Sequence, residues 1–190
     1  MNSLWPTPSA ADVETVIEQL GRRPRGFLGV ARRCRYGFPQ VIVNHPVFLE
    51  GEEPHVFPTL FWLTCPYLNR LVARLESSGH VARWQQCLQE DAQLAAAMQQ
   101  AHEHYAQQRR EVVPDAVQSC LARSYAKHYR VLMESGVGGI RNQEGIKCLH
   151  THLAHTLAGG PNPVGQWTAQ QIPELDGCPT GRCGEERKQP

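Results

Sequence analysis

The chain has 190 residues, 41% hydrophobic content and a formal net charge of +1. That is enough for one domain with a real core, and a near-neutral chain does not advertise a polyanion partner. No apolar run approaches the length of a membrane span. The first residues, Met1-Asn2-Ser3-Leu4-Trp5-Pro6, lack the basic and apolar regions of a signal peptide. A cytoplasmic location is therefore expected, with the seven cysteines present as thiols or ligands rather than disulfides.

Residues 9–20 read as a first helix. Ser9 and Asp12 have capping-box spacing, Val13, Val16, Ile17 and Leu20 give an apolar face, and Gly21 ends it. No acidic residue lies between Glu18 and Glu50, a stretch that holds Arg22, Arg23, Arg25, Arg32, Arg33 and Arg35. Guanidinium groups suit phosphate or carboxylate, so these six form a candidate anion-binding face for a phosphorylated ligand or polyanion. No stacking aromatics are interleaved as a single-strand platform needs. The competing expectation is a solvated face balanced by acidic helices bearing Glu90, Asp91, Glu103 and Glu111.

Residues 27–32, 40–44 and 59–64 are short, rich in β-branched or aromatic residues, and bounded by Gly and Pro; they read as strands. Pro66 opens a helix carrying Leu68, Leu71, Val72 and Leu75, and Gly79 stops it. Further helices are expected over residues 81–89, over 91–110 with Asp91 at the N-cap, and over 114–135 as one element. In the second of these, His102-Glu103-His104-Tyr105-Ala106 lacks the second histidine of a zinc-protease helix, since position 106 is Ala. That helix is polar, so a solvated face is expected for His102 and Tyr105.

The loop Gly136-Val137-Gly138-Gly139 invites a phosphate reading but lacks the Lys and Ser/Thr of a P-loop, and a flexible connection is expected. A last helix is expected over residues 143–158, capped by Asn142 and stopped by Gly159-Gly160. The fold class is α+β: a small N-terminal antiparallel sheet packed against about five helices. One domain spans residues 1–167, and residues 168–190, poor in apolar side chains, read as a flexible tail.

The chemistry concentrates in Lys147-Cys148-Leu149-His150-Thr151-His152-Leu153-Ala154-His155. Thiols and imidazoles ligate borderline metals and also serve as nucleophiles and bases. Helical spacing places Cys148, His152 and His155 on one face beside a leucine stripe. Cys34 and Cys65 each follow a strand, and Cys65 opens a helix. Cys34, Cys65 and Cys148 with His150 or His155 would make a zinc shell, structural or hydrolytic, with sulfurs within about 4 Å of one another. Two other readings stand beside it. One is a metal-free binding or regulatory module for a phosphorylated ligand or RNA. The other is a thiol-dependent enzyme using Cys65 or Cys148 with a nearby histidine as base; a thiol at a helix N-terminus has a lowered pKa. Cys178 and Cys183 have four residues between them, too wide for a tight metal knuckle.

Several segments together carry a resemblance. They are Phe57 to Pro66, Leu75-Glu76 with Gly79, Lys147-Cys148-Leu149-His150 with Ala154-His155, Asn162-Pro163-Val164-Gly165, and Cys34-Arg35-Tyr36-Gly37-Phe38-Pro39. These resemble a bacterial family classed only as a domain of unknown function, number five hundred and one, over roughly residues 25 to 167. The resemblance implies no established activity, substrate or site. It includes Cys34, Cys65, Cys148, His150 and His155, but not His152.

Overall fold

The computed structural model describes residues 5–142 and 144–183. The expected start of the Cys/His helix at Gln143, the leader reading at residues 1–4 and the last residues of the tail lie outside the described residues. Helix α1, Ala10–Leu20, begins with the capping box: Ser9 Oγ accepts the Asp12 N–H while Asp12 accepts the Ser9 N–H. Gly21 closes it in the left-handed region, φ 74°.

Strands β1 (Phe27–Arg33), β2 (Pro39–Asn44) and β5 (Phe61–Leu63) form an antiparallel sheet in the order β1-β2-β5. The central strand β2 is buried at every position, which is why Val41-Ile42-Val43 reads as a continuous apolar run rather than an alternation. Its register sets Val41 opposite Leu63 and Val43 opposite Phe61. A second, separate hairpin joins β3 (Val47–Glu50) to β4 (Glu53–Val56). The sequence reading has no element there, because Pro46 and Pro54 mask two short, half-exposed strands.

Seven more α-helices, for eight in all, complete the described chain. α2 (Pro66–Ser77) starts with Pro at its first turn and Cys65 at the N-cap. α3 (His80–Glu90) and α4 (Ala92–Glu111) follow, and Asp91 caps α4 by accepting the Gln93 and Leu94 N–H groups. The expected single helix over 114–135 is two: α5 (Asp115–Ser124) and α6 (Ala126–Glu134), broken at Tyr125, φ −136° and ψ 58°. After a 3₁₀ turn at Val137–Gly139 come α7 (Leu149–Leu157) and α8 (Pro163–Gln170). The Cys/His helix therefore starts at residue 149, with Cys148 as its N-cap, not at residue 143.

One core joins sheet and helices: Val41, Phe61, Leu68, Tyr105, Leu149 and Leu153 all belong to it. Tyr105 and His102 are fully buried, not on a solvated face. Tyr105 Oη accepts the Leu60 N–H at 2.7 Å and the Phe61 N–H at 3.3 Å, so α4 satisfies the start of β5. A polar helix hides them because its one buried stripe is built from Met98, Ala101, His102, Tyr105 and Arg109, only some of which are apolar. No described helix is long and apolar enough to cross a membrane.

Candidate functional site at the start of helix α7

Cys148 has extended backbone, φ −157° and ψ 150°. As the N-cap it stands just outside the helix. Its sulfur, a His150 ring nitrogen and a Glu76 carboxylate oxygen all lie within 4.8 Å of one another, and all three side chains are partly buried. Glu76 comes from the last turn of α2. Its Oε1 accepts the Leu149 N–H at 2.6 Å and lies 3.1 Å from His150 Nδ1. His150 Nε2 faces the Asn69 carbonyl at 3.3 Å. Both ring nitrogens thus meet oxygen acceptors, an arrangement that calls for a proton on each.

The electrostatics follow. Burial disfavours the His150 cation, but the neighbouring Cys148 and Glu76 outweigh it and raise its pKa. Burial alone would raise the Cys148 thiol. Hydrogen bonding with the His150 ring, the Thr151 hydroxyl and the Thr151 N–H outweighs that, and the thiol falls below its ordinary value. Cys148 Sγ lies 3.4 Å from Thr151 Oγ1. A thiol of lowered pKa thus lies beside an imidazole of raised pKa.

The remaining candidate residues lie elsewhere. Among the described residues, Cys34, Cys65 and His155 belong to no group of three with Cys148 or His150 at that spacing. His152 and His155 are buried in the core, not on a ligand face with Cys148. His155 Nε2 meets His104 Nδ1 at 3.0 Å, its ring stacks on Phe61, and its Nδ1 lies 3.2 Å from Asn162 Nδ2. Burial pulls both histidines down to about 3. Cys65 also departs from the helix-terminus expectation: burial pushes its thiol up to about 12. All seven cysteines are free thiols.

Four of the six arginines are paired within the chain: Arg25 with Glu50, Arg32 with Asp176, Arg33 with Asp12 and Arg35 with Glu174. None of these acids lies on the helices expected to balance them. Arg22 sits over the Trp62 ring at 5.3 Å. The glycine loop is also spoken for. Gly136 N–H reaches Ile140 O, Val137 N–H reaches His102 Nδ1, and Gly139 N–H returns to Gly136 O. Its glycines serve close packing, since a Cβ at Gly136 would lie 2.4 Å from His102 Nδ1 and one at Gly138 would lie 2.8 Å from Thr151 Oγ1.

Glu76 is a site residue that the Cys and His pattern of the sequence does not point to. It lies 72 positions before Cys148, and its one signal was its place in the Leu75-Glu76 segment of the resemblance. A family model described as "Protein of unknown function (DUF501)" matches residues 30–170. The chain belongs to the DUF501 family. Its matched span holds Cys34, Cys65, Glu76, Cys148, His150 and His155 and stops before Cys178. Neither the comparison with curated proteins nor that with solved structures gives a match.

Proposed function

We propose that this DUF501 protein is a thiol-dependent enzyme in which Cys148 is the nucleophile, His150 its acid–base partner and Glu76 the group that orients the ring. The observation that carries this is the meeting of the Cys148 sulfur, a His150 ring nitrogen and a Glu76 carboxylate oxygen within 4.8 Å of one another, with the ring held by Glu76 Oε1 and the Asn69 carbonyl. For an acyl substrate the Cys148 thiolate attacks the carbonyl carbon and the C=O pair moves to oxygen. That pair then returns and expels the leaving group, which takes a proton from His150. Water attacks the thioester with neutral His150 as base, restoring thiolate and imidazolium.

The test is alkylation of the native protein by iodoacetamide across pH, read by peptide mass spectrometry, with exposed Cys120 as internal reference. Cys148 should react markedly faster than Cys120 at pH 7, because its thiol is held below its ordinary value. His150→Gln should bring it back towards the reference. A Cys148 profile that tracks Cys120 in the parent protein sinks the proposal.

A second reading rests on the close approach of three ligand types. Cys148, His150 and Glu76 are the chemistry of a three-ligand zinc site with an open position, which would serve hydrolysis. It requires one His150 nitrogen to lose its proton and exchange an oxygen acceptor for the ion. Equimolar zinc that disappears with Cys148→Ser, together with slow Cys148 alkylation until a chelator is added, selects this reading over the first.

A further inference from the structure

The chain beyond α8 returns to the sheet. Gln40 Nε2 donates to Leu175 O at 2.9 Å, Tyr67 Oη to Glu174 O at 3.3 Å, and Tyr36 Oη to Cys178 O at 3.3 Å. Gln19 Nε2 donates to Cys183 Sγ at 3.2 Å and also to Pro39 O at 2.7 Å, which pins residue 183 beside the start of β2. That strand end is where the other two thiols sit. Cys34 N–H bonds Phe38 O across the β1–β2 turn, and Cys65 N–H reaches Gln40 O. Cys178 and Cys183 both lie within electrostatic reach of Cys65, and Cys183 within reach of Cys34. Cys65 and Cys178 are buried.

We propose that Cys34, Cys65, Cys178 and Cys183 form a four-thiolate metal centre that fastens the C-terminal strap to the sheet. Two features beyond proximity point to a metal rather than to four packed thiols. The Gln19 amide donates to the Cys183 sulfur at 3.2 Å; such donors stabilise ligating thiolates. The strap itself, residues 171–183, contributes only Ile172, Leu175 and Cys178 to apolar burial, so a cross-link is what it lacks.

Among the described residues no three of these sulfurs fall within 4.8 Å of one another. A mononuclear zinc centre therefore draws the Cys178–Cys183 loop inward, whereas an iron–sulfur cluster spans the wider spacing. Both are the same four-thiolate chemistry. Uptake releases one proton for each thiol that ionises.

The experiment uses the full chain without an affinity tag, purified anaerobically, with metal and acid-labile sulfide measured per chain. Cobalt is then loaded into the reduced, metal-free protein. The parent should carry one zinc, or iron with sulfide, and the cobalt form should show the intense sulfur-to-metal absorption of a tetrathiolate. Cys178→Ser with Cys183→Ser should abolish both. Cys148→Ser and His150→Gln should leave both unchanged, which separates this centre from the α7 site. Alkylation of the folded parent should rise at all four cysteines when a chelator is added, but not at Cys87 or Cys120. That footprint keeps the test decisive should the double variant fold poorly. No metal in the reduced parent overturns the proposal. So does metal retained by the double variant, or a mass deficit of two hydrogens per disulfide in place of metal.

Discussion

His150 and its two neighbours on α7 titrate in opposite senses. His152 and His155 have folded-state values pulled down to about 3 by burial, against about 6.5 in an unfolded chain. The unfolded state then binds more protons between those limits. The stability contributed by neutral burial is present above pH 6.5 and is lost as pH falls towards 3. Each histidine adds a slope of about 1.4 kcal/mol per pH unit inside that window. Urea midpoints at pH 7 and pH 5 should show the drop, and His155→Gln should flatten it; equal midpoints in the parent would remove the burial argument. His150 runs the other way, since its raised value contributes stability that is full below 6.5 and lost as pH rises through the folded value. Asn162 links the buried pair. It is 1% exposed, caps α8 by accepting the Gly165 N–H at 2.9 Å, and meets His152 Nδ1 and His155 Nδ1. Asn162→Ala should cost about 1–3 kcal/mol, a lost cap plus orphaned buried polar atoms, read from chemical denaturation.

At the level of elements, the helices with orthodox ends were legible in the sequence. Ser9, Asp91 and Pro66 mark starts that need no tertiary information, whereas α8, opened by Asn162 and Pro163, stands where no helix was expected. The break at Tyr125 and the late start of α7 carry no such mark, because neither Tyr125 nor Cys148 makes a side-chain cap bond. Tertiary contact decides both. The glycines of the family's segments were legible as glycines but not as packing devices. A Cβ at Gly165 would lie 2.1 Å from Thr156 Oγ1 and 2.3 Å from His152 O, so α7 and α8 touch there at backbone distance. Gly165→Ala should therefore lower stability by about 1–3 kcal/mol through overpacking, although alanine is the better helix former. A thermal melt at or above the parent's would contradict that contact.

Across the whole molecule, Arg109 holds distant segments together. It is fully buried without a carboxylate partner among the described residues. Its donors reach the carbonyls of Leu132, Pro58 and Ser135. Burial lowers its pKa to about 10. Arg109→Met should cost about 2–4 kcal/mol by leaving those carbonyls unmet, and Arg109→Lys should not rescue it, since one ammonium cannot span three directions. Urea denaturation of the three proteins checks both statements. Nothing in a one-residue-at-a-time reading flags such a clamp, just as nothing adjacent to Cys148 flags Glu76. The α+β class was readable from local pattern. The partners of each functional side chain were not, because they arrive from α2, from β2 and from the strap.

That separation has a kinetic corollary. Glu76 and Cys148 lie on segments that meet only when α2 and α7 dock, so closing that long loop precedes any change in the thiol. In the unfolded chain Cys148 is an ordinary cysteine. A millisecond pulse of alkylating reagent during refolding would therefore find it sluggish at first and quick once the two helices have met. The chemistry of one sulfur would thus time the completion of the fold.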